Sequence, residues 1–223
     1  PRMTAALEPR YQAKFLRAKL ALLQPFLTPS TRMIEFGAGD CAFAARAALR
    51  TRSVIAADLS DQRPPGTSLP RNLRQVLYDG FRIEVEPASL DLAFSDQMIE
   101  HLHPDDVEPH FRLALRLLRP GGVYVLRTPH AFLGPHDVSR YFSRTPRGFH
   151  LKEWTFHELA SLLLRSGYAR VNAYWLARGV SLRAPLAVFR AAEVAMARLA
   201  AGPRALAARL FTPAVCLAAW APE

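Results

Sequence analysis

Met33-Ile34-Glu35-Phe36-Gly37-Ala38-Gly39-Asp40-Cys41 reads as a short strand that runs straight into a glycine turn. An alanine-rich helical segment, Ala42 to Leu49, follows at once. Strand, tight glycine loop and helix N-terminus together make a nucleotide-type pocket. Glycine lets the backbone approach a ligand closely, and the first amides of the helix are free donors. A second strand, Ser53-Val54-Ile55-Ala56-Ala57, ends in Asp58, about 20 residues beyond the glycines, where an acid can accept from both hydroxyls of a ribose. The expectation is an adenosine-containing cofactor. Gly37-x-Gly39-x-x-Ala42 also satisfies the G-x-G-x-x-A dinucleotide pattern, so a nicotinamide dehydrogenase stays open on the loop alone.

The composition allows a sizeable core: half of the 223 residues are apolar. Cys41 and Cys216 form neither a disulfide framework nor a zinc pattern. With no secretory leader pattern and no run of 18 uncharged apolar residues, the expectation is a cytoplasmic protein without a membrane span. The formal charge of +10 comes mostly from arginine, with lysine only at positions 14, 19 and 152. Such an excess suits an acidic partner. The arginines are nevertheless scattered, and arginine- and alanine-rich coding accounts for them equally well.

Helical spacing of Phe15, Leu16, Leu20, Leu23 and Phe26-Leu27 predicts an N-terminal helix over about 8–27. Strands are expected near 33–36, 53–57, 73–78, 90–95, 122–128 and 169–176, with helices near 42–50, 97–101, 106–118 and 154–165. Pro120-Gly121-Gly122 marks a break before Val123-Tyr124-Val125-Leu126. This alternation predicts an α/β, Rossmann-like, doubly wound and mainly parallel sheet, with ligands at the carboxyl ends of its strands. From Pro185 onward alanine, leucine and arginine dominate. The chain is therefore expected to divide into a domain over 1–184 and a helical extension over 185–223. Leu186, Phe189, Arg190, Glu193, Met196 and Leu199 fit an amphipathic helix, packed on the core, on a second subunit, or on a membrane surface with its arginines among the headgroups.

Glu35-x-Gly37-x-Gly39-x-Cys41 with Asp58 downstream resembles the first motif of class I S-adenosylmethionine-dependent methyltransferases. The resemblance continues in order through Leu77-Tyr78-Asp79-Gly80, Ser89 to Asp96, Leu117-Leu118-Arg119-Pro120-Gly121-Gly122 and His150 to Tyr168, covering roughly residues 30–178. It implies the family's seven-stranded sheet and S-adenosylmethionine as cofactor. Cys41 stands where the family's third glycine stands, and a seventh strand is hard to find, Gly179-Val180-Ser181-Leu182 being a short candidate. By the same resemblance Glu35 and the Gly37-Ala38-Gly39 loop hold the methionine end. Asp58 with Leu59 takes the ribose, Asp79 with Gly80 and Phe81 takes adenine, and Ser95 and Gln97 complete the cofactor set.

Methyl transfer to a hydroxyl needs a base or a metal on the acceptor side. If 97–101 is helical, Gln97, Glu100 and His101 share a face at i, i+3 and i+4. The Glu100-His101 pair resembles that of ubiquinone-pathway O-methyltransferases and of small-RNA 2′-O-methyltransferases. In the latter, an E-x-x-E-H segment and a later H-x-x-E-W histidine bind a divalent metal. Here Gln97-x-x-Glu100-His101 and His150-x-x-Glu153-Trp154 occupy those positions, with Gln97 in place of the first glutamate. Glu100, His101 and His150 are thus expected to act as a metal-free acid–base cluster with His101 as base, as metal ligands, or as a structural cap. A Pro/Gly-rich loop carrying His130, His136, Asp137, Arg140, Tyr141, Phe142 and Arg144 reads as a substrate lid. The expected function is O-methylation of a sugar, a lipid-linked acceptor or a small metabolite. The alternatives are metal-assisted methylation of an RNA end, and a non-catalytic binding module that keeps the fold.

Overall fold

The runs Met33–Phe36, Val54–Ala57 and Leu92–Phe94 are apolar at almost every position, as strands covered on both faces require. In the computed structural model, which describes residues 9–143, 145–177 and 179–223 with side chains from Leu16 onward, they form the middle of one sheet. Strands β1 (Arg32–Phe36), β2 (Ser53–Asp58), β3 (Leu73–Leu77), β4 (Leu90–Asp96) and β5 (Leu118–Pro129) are parallel, in the order β3-β2-β1-β4-β5. Helix α2 (Ala42–Ala48) connects β1 to β2 and α3 (Pro104–Leu117) connects β4 to β5. Beyond β5, α4 (Phe156–Arg165) leads into β6 (Arg170–Ala177), and β7 (Val180–Ala184) turns back along β6. Helices α5 (Leu186–Ala197) and α6 (Ala201–Phe211) form a hairpin before the last strand, β8 (Ala214–Trp220). The N-terminal helix α1 covers Pro9–Leu23, with a 3-10 turn at Gln24–Phe26. Glu8 and Arg144 lie outside the described residues, as does the side chain of Phe15.

The sheet has eight strands where seven were expected, in the order β3-β2-β1-β4-β5-β8-β6-β7. The candidate at Gly179–Leu182 does become a strand, β7, but as an antiparallel edge beside β6. The strand between β5 and β6 is β8, antiparallel to both. The segment 185–223 is therefore not a wholly helical extension. Its two helices return the chain to the centre of the sheet, and Val215 to Ala219 are fully buried there. The expected break at Pro120-Gly121-Gly122 is an irregularity inside β5: Gly121 is left-handed at φ +69°, and the register with β4 shifts between Leu90 and Leu92.

Side chains alternate across the sheet and build two apolar layers. One joins Ile34, Phe36, Tyr124 and Leu126 to α3, α4 and Phe189 of α5. The other joins Met33, Phe94 and Val125 to Leu22 and Leu23 of α1 and to Phe43, Ala44 and Ala47 of α2. That parity decides which residues at the strand ends can meet a ligand.

Candidate cofactor and acceptor site

Gly37 and Gly39 hold left-handed φ angles of +69° and +55°, and a Cβ at Gly37 would stand 2.9 Å from Met98 Cγ. Cys41 takes the same left-handed conformation at φ 63°, a strained choice for a residue with a side chain. The amides of Gly37 and Ala38 donate to Ala57 O at 2.9 and 3.2 Å, which ties the loop to β2. Gly39 N donates to Asp58 Oδ2 at 2.7 Å, and Leu59 N to Asp58 Oδ1 at 2.7 Å. The space beside Gly39 is open, with no atom within 4 Å of where a Cβ would stand.

Beyond the end of β3, Asp79 Oδ1 accepts from Phe81 N and Arg82 N, at 2.8 and 2.6 Å. The amides of Arg82 and Phe81 hold this carboxyl below the usual range, so it stays ionised. Leu59 lies over Gly80, its Cδ2 4.0 Å from the position of a Cβ, and the side chains of Leu59 and Phe81 are both exposed. Asp58, Leu59, Asp79, Gly80 and Phe81 therefore lie together at the ends of the adjacent strands β2 and β3.

Two expected cofactor residues differ. The Ser95 side chain is fully buried and shares a 2.7 Å hydrogen bond with Tyr124 OH, which in turn bonds His110 Nε2 at 2.9 Å. On β4 it follows the parity of Ala93, into the α3 layer. Gln97 is not on a helix. Its φ of 55° is left-handed, its amide donates to Arg127 O, and only a 3-10 turn at Ile99–His101 follows. The expected i, i+3, i+4 face with Glu100 and His101 therefore does not form.

The opposite parity brings Glu35, expected at the methionine end, together with residues to which the sequence assigned no role. Glu35, Asp96 and Arg127, at the ends of β1, β4 and β5, point into the α1 layer. Lys19 Nζ of α1 lies 3.1 Å from Glu35 Oε1 and 3.5 Å from Asp96 Oδ2, and Arg127 grips Asp96 through two nitrogens. Burial pushes Glu35 up to about 7 against the pull of Lys19, and its Oε2 is buried without a partner. The only available signal was that this arginine-rich chain keeps a lysine at position 19.

Glu100, His101 and His150 do come together. Leu151 N donates to Glu100 O at 2.8 Å, which draws the 149–153 segment onto the 3-10 turn and brings the His101 and His150 rings to 4.9 Å, edge to face. Glu100, His101 and His150 each offer a ligand atom, all within 4.8 Å of one another. Glu100 is fully buried: Oε2 accepts from Thr128 Oγ1 at 2.8 Å, Oε1 has no partner, and burial pushes the carboxyl up to about 7.

Both histidine tautomers follow from their partners. His101 Nδ1 lies 3.0 Å from Phe149 O, a group that only accepts, and His150 Nδ1 lies 2.8 Å from Glu153 Oε1. Each Nδ1 therefore carries the proton, and in the neutral rings each Nε2 keeps its lone pair. Burial works to raise Glu153, but hydrogen bonds from His136 and His150 outweigh it and hold the carboxyl below its usual value. A Cβ at Gly134 would fall inside this carboxylate, so any larger residue there must displace it.

The remaining loop residues divide. His136 donates to Glu153 through both its amide and Nδ1, and Asp137 Oδ2 accepts from His150 N. Both thus support His150. His130 is fully buried, bonded to Glu193 Oε1 at 2.9 Å, and is not part of a lid. Arg140, Tyr141 and Phe142 remain exposed on the loop surface.

A family model described as "Methyltransferase domain" matches residues 9–173. The chain belongs to this methyltransferase-domain family. Among curated proteins no sequence matches it. Several solved methyltransferases share its fold. The Haemonchus contortus phosphoethanolamine N-methyltransferase 2 in complex with S-adenosyl-L-methionine has a TM-score of 0.63 at 18% identity, over 92% of this chain and 52% of that one. The present chain thus spans about half the length of that enzyme. An S-adenosylmethionine-dependent methyltransferase from Mesorhizobium loti has a TM-score of 0.58 at 22% identity, covering 91% and 97%. The Burkholderia thailandensis 1,6-didemethyltoxoflavin-N1-methyltransferase, solved with its acceptor and S-adenosylhomocysteine, has a TM-score of 0.62 at 16% identity, covering 96% and 82%. At these identities the methyltransferase-domain chain shares a fold with them and nothing finer.

Proposed function

We propose that this methyltransferase-domain protein transfers a methyl group from S-adenosylmethionine to a hydroxyl oxygen of a small metabolite, a sugar or a lipid-linked acceptor, with His150 as general base. The observation that carries the reading is the 2.8 Å bond from His150 Nδ1 to Glu153 Oε1, which leaves a lone pair on Nε2 beside Glu100 and His101. The open space at Gly39, the acids Asp58 and Asp79 and the unpartnered Glu35 Oε2 fit the adenosine and the ammonium end of the donor. Bound there, S-adenosylmethionine supplies an electrophilic methyl carbon on a sulfonium. Asp58 accepts from the ribose hydroxyls, Asp79 from the adenine amine and Glu35 from the ammonium. The sulfur would leave as a neutral thioether when the methyl carbon goes to the acceptor oxygen. The acceptor's proton passes to His150 Nε2, while Glu153 stabilises the imidazolium and holds the ring.

A second reading is favoured by the orphan Glu100 Oε1. One carboxylate and two neutral imidazoles suit a divalent transition metal. Glu100, His101 and His150 would hold it, and it would lower the pKa of a bound hydroxyl, as on the terminal ribose of an RNA.

The test is transfer of a labelled methyl group to a panel of hydroxylated and amine acceptors, run beside calorimetric titration with S-adenosylhomocysteine. The expected result is O-methyl product, abolished in His150→Ala with S-adenosylhomocysteine affinity retained. Transfer only to nitrogen refutes the acceptor class. Absence of S-adenosylhomocysteine binding leaves the non-catalytic module. Loss of turnover on chelation, with recovery on adding manganese, selects the metal reading over the metal-free base.

A further inference from the structure

Amphipathic helices of water-soluble folds turn their large apolar residues inward. Helix α6 does the reverse. Its buried residue is Ala208, while Leu206, Leu210 and Phe211 are 62%, 62% and 64% exposed. Leu206 and Leu210 stand at i and i+4, on one side of the helix. On α5, Phe189, Glu193 and Met196 face the core, and Val188 and Val194 are exposed, followed by Leu199 in the connection to α6.

The charge on this hairpin is one-sided. From Ala184 to Ala221 the chain contains Arg190, Arg198, Arg204 and Arg209, and Glu193 as its only acid. Glu193 is buried and fully used, accepting from His130 Nε2, Phe156 N and His157 N. The outer surface of the hairpin is therefore apolar and cationic. Among the described residues, no helix is long and apolar enough to cross a membrane.

We propose that the α5–α6 hairpin docks the protein on the surface of an anionic phospholipid bilayer. Leu206, Leu210 and Phe211 enter the acyl boundary while Arg198 and Arg209 meet lipid phosphates. Charge selects this occupant over a second copy of the chain. A two-fold contact would set these arginines against themselves with no acid between them, whereas an anionic bilayer takes up both the apolar and the cationic groups. The docked surface adjoins the acceptor loop: Arg204 lies over the Phe132 ring at 5.4 Å, and Glu193 holds His130.

The experiment is co-sedimentation of the full chain with phosphatidylglycerol vesicles and with phosphatidylcholine vesicles, alongside light scattering of the protein alone. The variants are Leu206→Gln/Leu210→Gln/Phe211→Gln and Arg198→Ala/Arg209→Ala, all at exposed positions. Binding is expected to phosphatidylglycerol only. The arginine pair is expected to weaken it roughly thirtyfold, at about a factor of five for each charge, and the apolar triple to abolish it with S-adenosylhomocysteine binding unchanged. No binding to phosphatidylglycerol overturns the proposal. So does binding that survives the apolar triple, which would be charge adsorption alone. A dimer that the apolar triple makes monomeric, without vesicle binding, assigns the face to a second copy instead.

Discussion

Replacing Glu193 by glutamine tests whether the C-terminal hairpin is welded to the acceptor side of the core. The first two amides of α4, Phe156 N and His157 N, have no partner within their own helix. Glu193 of α5 supplies it, at 2.6 and 3.0 Å, and its Oε1 also accepts from His130 at 2.9 Å. Glutamine keeps the shape and one carbonyl oxygen, but its amide group must then face either His157 N–H or the Phe156 and His130 donors. One charge-assisted hydrogen bond is lost, about 2 kcal/mol, with a buried donor left facing another. Removing a negative charge from a helix N-terminus adds about 1 kcal/mol. The sum, about 3 kcal/mol, corresponds to a fall in Tm of roughly 6–12 °C for a chain of this size. Glu108→Gln is the control. It breaks the exposed i,i+4 pair with Arg112 and is expected to cost under about 0.5 kcal/mol. Thermal melts of the two variants beside the parent measure both. A Glu193→Gln fall no larger than that of Glu108→Gln would refute the reasoning, because it would mean that α5 does not cap α4 in solution.

His110 is buried beside Tyr124, and burial pushes its imidazole down to about 4 from 6.5. The unfolded chain takes up its proton near 6.5 while the folded one does not. Stability is therefore full above 6.5 and falls toward pH 4, by about 3 kcal/mol from this group; His110→Gln is expected to flatten that part of a urea-midpoint profile. Gly134→Ala displaces the Glu153 carboxylate that orients His150 and is expected to lower kcat by roughly 10–100-fold while leaving S-adenosylhomocysteine affinity intact, as for other groups that orient a working histidine. Ser95→Ala removes a hydroxyl bonded to Tyr124 and is expected to cost about 1 kcal/mol of stability without changing S-adenosylhomocysteine affinity. Asp58→Ala, by contrast, is expected to weaken that affinity at least about tenfold, as loss of a pair of charge-assisted hydrogen bonds implies. Calorimetry on both variants checks the two expectations.

The first half of the sheet was legible because each of its parts carries a local signal. The glycines at 37 and 39 have left-handed backbones that favour glycine, and the strand of Asp58 is adjacent to that of Glu35. The clustering of Glu100, His101 and His150 was legible, although the helix assumed to carry the first two is a single 3-10 turn. What failed depended on long-range facts. Ser95 and Asp96 are neighbours in sequence, and only the parity of β4 against the two layers says which side chain joins Tyr124 and which joins Lys19 and Arg127. Lys19 joins Glu35 across 16 positions, a pairing that no local pattern encodes. Strand β8 was hidden because Ala214 to Trp220 continues the alanine- and leucine-rich text of the helices before it. A strand buried on both faces shows no alternation of apolar and polar residues.

That same strand sets the order of events during synthesis. As the chain leaves the ribosome, β5 emerges with one open edge and the β6–β7 hairpin forms with another, and no strand pairs the two. Both wait for the seven residues from Ala214 to Trp220, which bond to β5 along their whole length and to β6 along four. Until these arrive the nascent chain is two unpaired sheet fragments, each a template for adventitious strand pairing. Ribosome-bound chains stalled before Ala214 should therefore engage chaperones and resist compaction, and release of one further strand should close the molecule.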